Sequence, residues 1–121
     1  MTHSLVVRQL DDDTLNSSLA DLMGFHFYTE EIETQRIATL TPQEISKWFH
    51  PCKSITDAMM VQSKALEIGP DIYCNYLLEI FEPAHSMDIT YKGLSNMLQA
   101  TPRQRSEAAW VTLDTHFNMM D

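Results

Sequence analysis

DIYCNYLLEIF, residues 71–81, decides how the chain is read. Ile72, Cys74, Tyr76, Leu78 and Ile80 alternate with Tyr73, Leu77 and Phe81, and only Asn75 and Glu79 interrupt the second set. Alternation is the mark of a strand, and a strand apolar on both faces is covered on both faces. A five-residue polar stretch, EPAHS, follows, and then MDITY (87–91) sets Met87, Ile89 and Tyr91 against Asp88 and Thr90. The pair reads as an antiparallel hairpin ended by Gly93, with LSNMLQ (94–99) as a connector or short helical turn.

Upstream of this segment the chain reads as helix. Ser54 opens a run in which Ile55, Ala58, Met59, Met60, Val61, Ala65 and Leu66 form an apolar arc wide enough for substantial burial, and Gly69 and Pro70 end it. LTPQEISKWFHPC (40–52) begins with Thr41 as N-cap, Pro42 at the first helical position and Glu44 at the capping-box distance. It predicts a two-turn helix that carries Trp48 and Phe49 into the core and stops at Pro51.

Earlier still, Leu15, Leu19, Leu22 and Met23 form one helical stripe, with Asp11, Asp12 and Asp13 at its start and Gly24 at its end. SLVVRQL (4–10) reads as a short strand. FHFYTEEIETQRIATL (25–40) reads as a strand or irregular hairpin turning near Glu30 and Glu31.

Downstream, Thr101-Pro102-Arg103-Gln104 repeats the capping grammar, and Ala109, Trp110, Leu113 and Phe117 form the stripe of a last helix. Arg103 and Arg105 fall in its first turn, against the helix dipole. The fold class expected is α+β in one domain, residues 1–121. A small antiparallel sheet including 71–81 and 87–91 would be packed by helices near 12–23, 54–67 and 102–117 in α–β–α layers.

The chain of 121 residues carries 17 acids against 8 lysines and arginines, a net charge of −9. Residues 1–60 hold nine acids and four bases; residues 61–121 hold eight and four. Acidity this evenly spread argues against direct nucleic-acid binding, which needs clustered cations, and suits a basic protein partner. No apolar run is long enough for a membrane span, and the first residues lack the basic start and cleavage site of a signal peptide. The cytoplasm is the expected location, with Cys52 and Cys74 reduced.

Chemistry-bearing motifs are sparse. His3, His26, His50, His85 and His116 are dispersed, and His50-Pro51-Cys52 has no second Cys/His pair, so no metal is expected. Glycine-rich phosphate loops, GxSxG and HExxH do not occur. Cys52, ahead of the helix beginning near Ser54, is the one nucleophile to weigh, with His50 beside it. Met59, Met60 and the tail FNMMD offer adaptable apolar contact.

ADLMGF (20–25), SITDAMMVQSKAL (54–66) and ATPRQRSEAAWVTL (100–113) together resemble the phage ABA sandwich domain family of small phage and prophage proteins. Met59 stands where that family often has Trp, and 71–81 lacks its Trp/Gly-rich run. The resemblance implies α–β–α layering and a phage or mobile-element origin, and it brings no catalytic residues.

The expected function is that of a non-enzymatic accessory protein acting by binding, without cofactor. An acidic inhibitor of a host defence or nucleic-acid-binding protein fits, with homo-oligomerisation through the sheet edge or the C-terminus open. The alternative is a small-ligand binder sequestering a nucleotide-type signal. Phe25, Phe27, Tyr28, Tyr73, Tyr76 and Tyr91 are the stacking candidates, and Arg103 and Arg105 the phosphate contacts. Tyr28, Tyr73, Tyr91, Arg103 and Arg105 are the candidate contact residues for ligand or partner.

Overall fold

The structure, a computed structural model, describes residues 3–25, 28–31, 36–81 and 90–118. Residues 70–81 are a helix. Pro70 sits in its first turn, where a missing N–H leaves no bond unmade, and Asp71 lies beside it at the positive end of the dipole. The Tyr73 N–H donates to the Gly69 carbonyl at 3.1 Å and closes that turn. Tyr73, Tyr76 and Leu77 are buried, and Ile72, Ile80 and Phe81 pack against the same core. Asp71, Asn75 and Glu79 are left on the exposed side.

The fold is therefore all-α, and the α+β sandwich expected from residues 71–81 and 87–91 is not formed. The physical reason lies in spacing. Polar residues four apart satisfy a two-residue repeat and a helical repeat equally, and 12 residues is longer than most strands. Residues 82–89, most of the second expected strand, lie outside the described residues. Thr90 caps a helix through a 3.0 Å bond from the Gly93 N–H, and Tyr91 opens it, so Gly93 lies within a helix and does not end a strand.

In chain order the helices are α1 (His3–Gln9), α2 (Asp12–Leu22), α3 (Pro42–Ile45), α4 (Ile55–Ile68), α5 (Pro70–Phe81), α6 (Tyr91–Leu98) and α7 (Pro102–Asn118). Among the described residues the β structure is one antiparallel pair, β1 (Tyr28–Glu31) and β2 (Arg36–Thr39), with Tyr28 opposite Thr39 and Glu31 opposite Arg36. Glu30 and Glu31, expected at the turn, lie in β1 opposite Ile37 and Arg36; residues 32–35 lie outside the described residues. SLVVRQL is α1 and not a strand. Its β-branched pair is overridden by packing, since Val7 is wholly buried against the core.

The axis of the molecule is α7, which packs against α1, α2, α4 and α5. Every residue from Arg105 to Leu113 is buried. A stripe was expected here, yet the helix is enclosed all round, while Phe117 at the far end is exposed. Ser106, Ala108, Ala109 and Thr112 are small, so neighbouring helices approach closely. A Cβ on Gly69 would lie 3.1 Å from Thr112 Cγ2. Thr112 Oγ1 donates to the Ala108 carbonyl at 2.8 Å, and Trp110 Nε1 to Ser18 Oγ at 2.8 Å, so these polar atoms enter the core with partners.

The helix ends follow the sequence signals. Thr41 and Glu44 exchange both bonds of a capping box, and so do Thr101 and Gln104. Ser54 accepts from the Asp57 N–H, but the Asp57 carboxylate turns to the His50 N–H at 3.0 Å instead of back to the cap. Gly24, at φ +79°, takes the left-handed position after α2, and the Phe25 N–H reaches the Ala20 carbonyl at 2.8 Å. Buried Asn16 ties the segment after α3 to α2, donating to Ser46 Oγ and accepting from the Cys52 N–H.

Two burial expectations are corrected. The helix α3 is one turn long, and the i, i+4 pair Ile45 and Phe49 takes the core; Trp48, one position off that line, is 73% exposed. On α4 only Ala58, Val61 and Ala65 are buried, so the wide apolar arc is mostly surface: Ile55, Met59, Met60 and Leu66 are exposed.

Candidate functional site

Arg103 and Arg105 stand against the dipole of their own helix, α7, and each grips the carboxyl end of another. The Arg103 Nη2 group donates to the Val7 carbonyl at 3.1 Å and the Leu10 carbonyl at 2.6 Å, at the end of α1. Arg105 donates from Nη2 to the Leu98 carbonyl at 2.8 Å and from Nε to the Ala100 carbonyl at 2.9 Å, at the end of α6. Helix ends leave carbonyls without intrahelical partners and carry partial negative charge. The unfavourable position on α7 is offset by two favourable ones elsewhere.

The two arginines then part company. Arg103 joins carboxylates: Nη1 meets Asp12 Oδ1 at 2.9 Å and Nε meets Glu107 Oε2 at 2.8 Å. The Tyr76 hydroxyl donates to Glu107 Oε1 at 2.6 Å and accepts from Arg8 Nε at 3.4 Å, with the Arg8 guanidinium 5.7 Å from the ring centre. Burial raises the Tyr76 phenol, and the hydrogen bond to Glu107 raises it further, so it stays protonated. Beside this network a shallow cleft of about 220 Å³ opens between Ile72, Tyr76, Glu79 and Val111.

Arg105 instead enters a cavity. Its Nη1 group donates to Gln62 Oε1, and the Tyr73 hydroxyl donates to the same oxygen at 2.7 Å. Burial pushes the Tyr73 phenol up, against the pull of the Arg105 charge, and keeps it a donor. A shallow, open cavity of about 150 Å³ lies over this trio. Its walls include Leu66 of α4, Leu77 of α5 and Leu98 of α6. Two of the five residues chosen from sequence, Tyr73 and Arg105, thus meet in one site. Tyr91 does not join them; it is 92% exposed at the start of α6. Arg103 lies in the separate network. Tyr28 is in β1, and its side chain lies outside the described residues.

Sequence reasoning missed Gln62, Asp12 and Glu107. Glu107 carried a readable signal, since Arg103 and Glu107 are i, i+4 on one helix. Gln62 and Asp12 carried none, because tertiary packing alone brings them to the arginines.

Cys52 is buried, and its thiol donates weakly to the Asp12 carbonyl at 3.8 Å. Burial pushes its pKa up to about 11, overcoming the downward pull of Arg103, so it is a thiol at neutral pH. His50 gives it no base: His50 Nδ1 is buried without a hydrogen bond. Cys74 is half-buried and unpaired. Among the described residues no group of three His, Cys, Asp or Glu side chains could hold a metal ion, and no helix is long and apolar enough to cross a membrane.

No known protein family, curated protein or solved structure matches the chain.

Proposed function

We propose that the protein acts by binding a basic protein partner, using the apolar outer face of α4 and Trp48. The observation that carries this reading is the exposure of Ile55, Met59 and Met60 along α4, with Trp48 73% exposed in the turn before it. Large apolar side chains turned outward together mark contact surfaces, and tryptophan and methionine are enriched in the cores of such contacts. Arg103 and Arg105 satisfy internal acceptors, and Asp12 and Glu107 pair with Arg103, so the cations and acids engaged inside the fold balance. The net charge of −9 remains on the rest of the chain, which suits a basic partner and speeds its association.

The likeness of residues 20–25, 54–66 and 100–113 to the phage ABA sandwich family adds a phage or mobile-element setting and a host protein as target. The layering implied by that likeness is not adopted, so this setting rests on sequence alone. Non-enzymatic action is supported by the burial of Cys52, which holds its thiol in the neutral form.

The test is affinity capture from a bacterial host lysate with the intact protein, with Trp48→Ala, and with Met59→Glu/Met60→Glu. A basic protein should be retained at low salt and released at about 0.5 M salt, where the screening length falls to a few ångströms. It should be lost from both variants. Recovery of nothing at low salt, or equal recovery on the variants, contradicts the reading.

A further inference from the structure

We propose that the cavity between α4, α5 and α6 binds a small carboxylic acid, its carboxylate at Arg105 and its apolar body against Leu66, Leu77 and Leu98. The inference stands apart from the protein-binding face and uses different side chains from those tested there.

The first observation is an unbalanced buried charge. Arg105 is 9% exposed, and all three of its acceptors are neutral: the Leu98 and Ala100 carbonyls and Gln62 Oε1. Among the described residues no carboxylate lies within ion-pair reach of it, whereas Arg103, two residues earlier, has two. Burying a cation without a counter-charge is unfavourable. The carboxyl end of α6 supplies the equivalent of about half an elementary charge. An anion in the cavity would supply the rest.

The second observation is the donor count. A guanidinium has five N–H donors in a planar fork. Three are engaged, which leaves one on each terminal nitrogen without a protein acceptor. Gln62 Oε1 is already shared by Tyr73 and Arg105, and the Gln62 amide nitrogen makes no bond among the described residues. Three donors and a positive charge beside one cavity suit the two oxygens of a carboxylate.

The third observation is size and lining. The pocket holds about 150 Å³ and is open on the side of Leu98, which is 79% exposed; that volume is enough for a ring the size of benzene. Sites for drug-sized ligands start at about 300 Å³, so this pocket suits a smaller, compact ligand. The three leucines leave room for a ring or a short branched chain and offer no polar group to a second charge. A monocarboxylate with a compact apolar body is the class that fits.

The experiment is a titration of the intact protein, followed by amide proton–nitrogen correlation spectra at neutral pH, with benzoate and isobutyrate. Benzamide and isobutyramide serve as the neutral isosteres. The acids should shift the Gln62 side-chain amide and the backbone of Tyr73 and Leu98 saturably, and the amides should bind at least about tenfold more weakly, the worth of a single ionic hydrogen bond. Leu98 is 79% exposed, so Leu98→Glu leaves the fold intact and sets a fixed carboxylate at the cavity mouth. It should weaken benzoate at least about tenfold while the spectrum keeps its dispersion. The proposal is overturned by no saturable shift with either acid, by equal binding of acid and amide, or by unchanged benzoate binding in Leu98→Glu.

Discussion

At the scale of single residues, the determining feature is where the charged side chains of α7 find their partners. Arg103 satisfies two carboxylates and two helix-end carbonyls at once. Ionic hydrogen bonds of this kind contribute about 1.5–3 kcal/mol each when shielded from water, and less here because Arg103 and Asp12 keep partial exposure. Cys52 shows the opposite case, a group that burial holds in its neutral form. Its pKa lies near 11 in the fold and near 9.0 without burial. Above about pH 9 the unfolded chain therefore loses this proton while the folded chain keeps it. Stability contributed by the neutral thiol is full below that point and is lost between about pH 9 and 11, an effect on the order of 2 kcal/mol. The raised phenols of Tyr73 and Tyr76 act in the same direction. Urea midpoints taken from about pH 8 to 10.5 should therefore fall more steeply for the natural chain than for Cys52→Ala, which keeps both tyrosines. Parallel curves would mean that Cys52 is not held as a buried thiol.

At the scale of elements, α5 is the segment on which the sequence misleads. Its polar residues Asp71, Asn75 and Glu79 recur every four positions, which no single periodicity distinguishes, and its β-branched and aromatic content leans towards a strand. Asn75 is exposed, so substitution there reads backbone preference with little packing. Asn75→Ala should stabilise by about 0.5 kcal/mol, and Asn75→Val should gain less. Valine above alanine in thermal or urea midpoints would indicate strand-like backbone. Helix starts were legible, because a cap is a local bond between residues three apart: Thr41 with Glu44 and Thr101 with Gln104 formed as their spacing predicts. Burial was less legible. The apolar arc of α4 contains both a core line, Ala58, Val61 and Ala65, and an outward line, Ile55, Met59 and Leu66. Composition cannot say which line meets a neighbour.

At the scale of the whole molecule, an enclosed helix with polar side chains organises the rest. The residues Arg103, Arg105 and Glu107 look like surface residues in sequence and are drawn inward by helix ends and by each other. This is why the candidate site was only partly readable. Tyr73 and Arg105 were singled out as an aromatic and a cation, but they meet through Gln62, which is 11 residues from one and 43 from the other. The long pairing with α7 depends on α5 being a helix, since α5 supplies Tyr73 and Leu77 to the cavity and Tyr76 to the charged network. The cavity follows from that arrangement. The most direct test is proton–proton Overhauser spectroscopy of the labelled protein in solution. The account predicts sequential amide–amide contacts through residues 71–80 and contacts from the Tyr76 ring to the Glu107 side chain. Strong cross-strand contacts between residues 71–81 and 87–91 would contradict it.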